Sequence, residues 1–189
     1  MVTPEHPIRT VDLATTPALV LRGRRFDAGR PAVMAIVNRT RDSFFVTTGT
    51  DALEPALATL ADAVASGADI VDVGGVRAGQ EGEWVDVPAE VARVRPFLEA
   101  ARERFPDLVL SLDTWRSDVL AACVDVGIDL VNDTWAGADP DLVHAAAECG
   151  AGYVVSHTGG LPPRTDPVDV TYGDDPDDDR GSHFVASAP

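Results

Sequence analysis

Residues 32–37, AVMAIV, run without a polar break and stop at Asn38, and that stretch decides the fold. A strand with one wet face alternates apolar and polar residues. A strand covered on both faces stays apolar throughout, as in a parallel sheet. Similar runs recur down the chain: 69–73 ends at Gly74-Gly75, 108–112 at Asp113, 129–131 at Asn132-Asp133, and 152–155 at Ser156-His157. Helical spacing fills the gaps between them. Leu53, Leu57, Leu60 and Val64 make one stripe, with Asp51 placed to cap it and Gly67 to end it. Val91, Val94, Leu98 and Phe105 make a second, in which Pro96 predicts a kink or a late start. Val119, Cys123 and Val126 make a third, closed by Gly127, and Asp139-Pro140 open a fourth that ends at Gly150.

Alternating units of this kind build a parallel sheet with right-handed crossovers, either an open doubly wound sheet or a (β/α)₈ barrel. A dinucleotide-binding sheet carries G-x-G-x-x-G after its first strand. Here the first strand runs into Asn38-Arg39-Thr40-Arg41-Asp42-Ser43, and all five strands end in polar residues, which is where barrel enzymes place their chemistry. The expected fold is α/β, with parallel (β/α) units of a TIM-type barrel amounting to about five of the eight strands. Residues 31–165 form that partial barrel domain. Residues 1–30 precede it as a lead with a small hairpin near Gly23. Residues 166–189, with five aspartates in the six positions 174–179, read as a disordered acidic tail.

Composition narrows the function classes. The 189 residues carry a formal net charge of −16, the wrong sign for a nucleic-acid binder. No apolar run is long enough to cross a bilayer, and no secretory signal opens the chain, so a soluble cytoplasmic protein is expected. Cys123 and Cys149 fall inside helical patterns and read as small core hydrophobes. All 15 basic residues are arginine, so no lysine of this chain acts as a base, a Schiff-base nucleophile or a phosphate clamp.

Four segments in order carry a resemblance: Ile36–Phe44 (IVNRTRDSF), Asp69–Gly75 (DIVDVGG), Ser111–Thr114 (SLDT) and Val131–Thr134 (VNDT). The first is similar to the Asn-x-Thr-Pro-Asp-Ser-Phe signature of dihydropteroate synthases. The whole resembles that pterin-binding family, most of all its divergent second paralogue in actinobacteria. The resemblance implies a folate-biosynthesis transferase that joins 6-hydroxymethyl-7,8-dihydropterin pyrophosphate to p-aminobenzoate and releases pyrophosphate. It further implies that Asn38 ligates Mg²⁺ and the pyrophosphate, that Arg39, Arg41 and Arg77 belong to the pyrophosphate loops, and that Asp113, Asn132 and Asp72 line the pterin site. His157 matches a family histidine but stays outside the catalytic group, and core packing is the better reading for Trp115 and Trp135.

Two departures from the family pattern argue against turnover. The second loop, Gly74–Gly79, is two residues shorter than the family's and lacks its Ser-Thr. The family's later Asp, Lys and Arg-x-His are not in this chain, so the expectation is a protein that is catalytically incompetent alone. A pterin-dependent methyltransferase domain and a non-catalytic pterin-binding or assembly protein are the alternative readings. An open five-strand array also implies instability, aggregation or pairing with a second copy.

Overall fold

The computed structural model describes residues 18–27, 29–39, 53–76, 84–135 and 137–156, together with the backbone of two further short strands, 168–170 and 184–186. The expected units appear in order. They are β3 (Met34–Asn38), α1 (Leu53–Ala65), β4 (Ile70–Gly74), α2 (Val87–Arg104), β5 (Val109–Asp113), α3 (Ser117–Ala121), β6 (Leu130–Asp133), α4 (Asp141–Cys149) and β7 (Gly152–Val155). Before them, β1 (Leu19–Leu21) and β2 (Arg24–Phe26) pair as an antiparallel hairpin. Its turn residues Arg22 and Gly23 both have positive φ, the geometry that matches the right-handed twist of the flanking strands. In the segment read as a disordered tail, β8 (Val168–Val170) pairs antiparallel with β9 (Phe184–Ala186), and the other residues of 166–189 lie outside those described.

Strands β3 to β7 form one parallel sheet in sequence order, five strands that do not close into a cylinder. Because side chains alternate across a strand, each strand feeds two cores. Val37, Val71, Val73, Leu110, Leu112 and Val131 pack against the helical layer, where Leu57, Leu60, Val94, Phe97, Leu98, Leu120 and Leu142 bury their stripes. On the other face, which is the inside of the partial barrel, Ile70, Val109 and Leu130 pack at the N-terminal end of the sheet against Leu21 and Phe26 of the hairpin. The hairpin is pinned there by charge as well as by apolar contact. Asp69 takes Arg24 and Arg30, and Asp129 takes Arg22 at 3.2 Å and Arg102 at 2.8 Å.

Two helical expectations are corrected. Pro96 does not delay α2, which runs uninterrupted from Val87 to Arg104. Asp86 caps it by accepting from the Ala89 N–H at 2.9 Å, and an 18-residue helix with a deeply buried face absorbs the loss of one backbone hydrogen bond. The stripe Val119, Cys123 and Val126 is not one helix. A five-residue α3 gives way to a 3-10 turn at Val124–Val126. Arg95 of α2 compensates the break, donating to the Ala122 carbonyl and pairing with Asp125 at 2.7 Å.

The hairpin is an integral part of the core, which a substitution checks. Phe26 is 3% exposed, and Arg24 and Arg30 lie over its ring at 5.3 and 5.4 Å. Phe26→Ala is expected to lower the unfolding free energy by about 3–5 kcal/mol in urea titration, whereas truncating the exposed Val20 should stay within about 0.5 kcal/mol. Equal effects from the two would show that the hairpin does not seal the sheet.

Candidate functional site

Register decides which strand-end residues meet. Asn38 pairs with Gly74, Gly74 with Asp113, Asp113 with Asn132, and Asn132 with Val154, so one row crosses the C-terminal end of the sheet on its inner face. With strands about 4.8 Å apart, Asn38 and Asp113 stand roughly 10 Å from each other and Asn132 one strand further. One row closer to the hairpin, Ile36, Asp72 and Ser111 share that face. The sequence expectation that Asn38, Asp113 and Asn132 gather at one rim therefore matches the backbone geometry.

Asp72 is 2% exposed in the middle of β4, and both of its oxygens are engaged. Ser111 Oγ donates to Oδ1 at 2.5 Å, and Asn132 Nδ2 donates to Oδ2 at 2.9 Å. Burial pushes its pKa above the usual carboxylate range, while those two donors pull the other way. With its amide nitrogen committed to Asp72, Asn132 presents its carbonyl oxygen as an acceptor. Asp113 sits at the end of β5 and accepts from Thr134 Oγ1 at 3.1 Å. A methyl group on Gly74 would lie 2.9 Å from Asp113 Oδ2, so that carboxyl occupies space only glycine leaves. Burial first, and then the charge of Asp72, push Asp113 up to about 7, with Thr134 opposing. Near neutral pH it can donate or accept a hydrogen bond. The rim thus offers a carboxyl that works either way beside an amide acceptor, a pairing complementary to the polar edge of a flat nitrogen heterocycle.

The other predicted residues divide. Asn38 is exposed at the end of β3 on the inner face. Arg39 turns the opposite way, its guanidinium 5.5 Å over the Phe97 ring of α2, so the structure does not bring it together with Asn38. Burial lowers its pKa. Arg41, Arg77 and His157 lie outside the described residues. Trp115 and Trp135 form an edge-on pair with ring centres 5.7 Å apart, Trp135 being buried.

Sequence reasoning passed over several residues. Ser111 and Thr134 lie inside motifs already quoted, but only pairing register shows that their hydroxyls reach Asp72 and Asp113. Glu90 is 0% exposed on the apolar face of α2, where its oxygens take Thr114 Oγ1 at 2.7 Å and Arg116 Nη1 at 2.5 Å. Its spacing of four from Val94 on the buried stripe was the available signal. Asp133, also buried, accepts from the Trp135 and Gly137 N–H groups and from Tyr153 Oη at 2.6 Å, which fixes the loop after Asn132.

A half-barrel of parallel strands with an acid-and-amide rim is one way to hold a heterocycle, and the sequence profile of the pterin-binding enzymes matches residues 34–188. The chain belongs to that family. Within it, the likeness is to dihydropteroate synthases. A protein of Mycobacterium leprae named inactive dihydropteroate synthase 2 is 52% identical over 154 residues, which is 82% of this chain and 53% of that protein. The dihydropteroate synthase of Streptococcus pyogenes is 34% identical over 71% of this chain and 51% of its own length. The Xanthomonas albilineans dihydropteroate synthase, solved with 4-aminobenzoic acid, superposes with a TM-score of 0.68 at 34% identity, covering 77% of this chain and 53% of that one. The chain thus spans about half the length of the relatives it matches. The resemblance to dihydropteroate synthases and the α/β barrel architecture both stand. No helix among the described residues is long and apolar enough to cross a membrane.

The elevated Asp113 pKa sets a sign for stability against pH. The folded state holds a proton that the unfolded chain has released, so stability falls as pH rises from about 4, the unfolded aspartate value, to about 7. Asp113→Asn should remove that part of the slope. Its urea midpoint relative to the parent is then expected to improve between pH 5 and pH 8, and parallel pH profiles for the two proteins would show that Asp113 has an ordinary pKa.

Proposed function

We propose that this chain is a dihydropteroate synthase-like pterin binder of folate biosynthesis whose own residues do not complete the condensation. The observation that supports it most is the pairing of Asp113 with Asn132 on the inner face, with Asp72 behind Asn132. In this reading Asp113 meets the N–H donors of the pterin edge, Asn132 presents its carbonyl, and Asp72 holds that amide in its orientation. Transfer to p-aminobenzoate is an alkyl transfer with pyrophosphate leaving, so its catalysis is positioning and charge neutralisation.

Asn38 fits an ion that arrives with the substrate. It is a single hard amide oxygen at the exposed strand end, and among the described residues no group of three His, Cys, Asp or Glu side chains could hold a metal by itself. Mg²⁺ characteristically takes one or two protein oxygens and completes its shell with phosphate and water. When bound, the ion would neutralise the departing pyrophosphate.

The non-catalytic part rests on cations and on kinship. Each described arginine has a partner away from Asn38: Arg24 and Arg30 on Asp69, Arg22 and Arg102 on Asp129, Arg95 on Asp125, Arg116 on Glu90, Arg25 on Asp27, Arg104 on Glu54, Arg93 on the Gly75 carbonyl, and Arg39 over Phe97. Arg41 and Arg77 would be left to hold pyrophosphate, on loops that lack the family's proline and Ser-Thr. The relative at 52% identity is itself named inactive.

Titration calorimetry with 6-hydroxymethyl pterin and with its pyrophosphate, each with and without Mg²⁺, tests the reading, followed by an assay for pteroate with p-aminobenzoate added. Pterin binding without pteroate formation is expected. Asp113→Ala should weaken binding roughly ten- to a hundredfold, the loss of hydrogen bonds to a charged or polarised group. Product formation would sink the non-catalytic part, and absence of any pterin binding would sink the whole.

A further inference from the structure

Glu90 is a fully buried carboxylate in a helical stripe otherwise made of Val94, Phe97, Leu98 and Ala101. A leucine there would avoid the desolvation cost that an ionised side chain carries. Both of its oxygens go to the turn that directly follows Asp113, one to Thr114 Oγ1 and one to Arg116. The Thr114 hydroxyl in turn accepts from the Arg116 backbone N–H at 3.2 Å, and the Thr114 backbone N–H donates to the Asn132 backbone carbonyl at 3.3 Å. Arg116 reaches on to the Val85 carbonyl at 2.8 Å and lies 4.3 Å over the Trp115 ring. The loop after β4 packs tightly on the stem of the same side chain, since a methyl on Gly75 would stand 3.2 Å from Glu90 Cγ and 2.9 Å from Val94. Asp113 is therefore held from two sides: Gly74 leaves room for its oxygen, and the Glu90 network fixes the residue behind it.

We propose that Glu90 and Thr114 are positioning residues that hold the Asp113 carboxyl on the inner face of the sheet in the orientation that meets the ligand. The binding arm of the test rests on the pterin reading above, while the titration arm stands without it. The charged groups whose fields act on Asp113 are Asp72 beside it on β4 and, from the helical face, Glu90 of α2 and Asp133 of β6, with the Thr134 hydroxyl as its hydrogen-bond donor. Thr114→Val removes the hydroxyl at nearly constant volume, and with it one hydrogen bond that favours ionised Glu90, so the Glu90 carboxyl is followed in the same spectra. Movement of the Asp113 midpoint while Glu90 remains ionised then reports movement of the carboxyl.

The side-chain carboxyl carbon of Asp113 is followed by NMR against pH in the full chain, its Thr114→Val and its Thr114→Ser forms, and pterin affinity is measured for each by calorimetry. The valine form is expected to shift the Asp113 midpoint by about half a pH unit or more and to weaken pterin binding about five- to tenfold, as a displaced Asp113 carboxyl makes a poorer hydrogen bond to the ligand. Serine, which restores the hydroxyl, is expected to restore both. An unmoved midpoint with unchanged affinity, or a serine form as impaired as valine, would overturn the proposal and leave Glu90 a purely structural anchor. Should the valine form not fold, Thr114→Ala takes its place with the same two outcomes. A parent chain that binds no pterin overturns the proposed function, and the Asp113 midpoint still decides the positioning claim.

Discussion

The in-register parallel pairing of β3 to β7 is the constraint on which the rest depends. Side chains alternate with a period of two, so a slip of one residue in any strand would exchange the inner face for the helical one. Asn38, Gly74, Asp113 and Asn132 share a row only because Val37, Val73, Leu112 and Val131 are each locked into the opposite, apolar core. The hydrophobic layer that stabilises the sheet thereby fixes where its polar rim points. Burial sets the chemistry of that rim as well, since the same dry surroundings raise the Asp72 and Asp113 pKa values.

The two ends of the strands divide stability from chemistry. At the N-terminal end, the hairpin supplies Leu21 and Phe26, and Asp69 and Asp129 gather the nearby arginines into closed pairs. At the C-terminal end, carboxylates are buried on both faces of the sheet. Asp72 serves the inner face, while Glu90 and Asp133 on the helical face tie down the loops that follow Asp113 and Asn132. Such groups cost free energy unless every oxygen is satisfied, and here each of the three accepts at least two hydrogen bonds.

Much of this was legible in the sequence, for identifiable reasons. The five strands of the parallel sheet were found within two residues because an unbroken apolar run such as AVMAIV has few other uses, and the rim residues were found because they stop those runs. The α3 break was not legible: Val119, Cys123 and Val126 keep helical spacing, and only the arrival of Arg95 from another helix explains how the chain turns there without leaving Ala122 unsatisfied. Glu90 was missed for a related reason. A lone glutamate in a helix reads as solvated surface, and nothing local reveals that Thr114 and Arg116 of one turn, 24 and 26 residues away, both reach it. Arg39 follows Asn38 by one residue, and alternation along the strand sets it toward the helices, its guanidinium over the Phe97 ring.

Binding a heterocycle and transferring its side arm make unequal demands. Recognition needs a few fixed donors and acceptors on one wall, and in the proposed reading that wall is the row from Asp113 to Asn132, braced by Asp72. Departure of pyrophosphate needs concentrated positive charge at the end of β3. In a chain of net charge −16 whose only cations are arginines, positive charge is scarce. The described arginines are spent holding the hairpin, the helix ends and the loop after β5. A protein that invests its cations in architecture retains the recognition half of the chemistry more readily than the transfer half. That distribution of charge is why the proposed function keeps pterin binding and leaves out the transfer step.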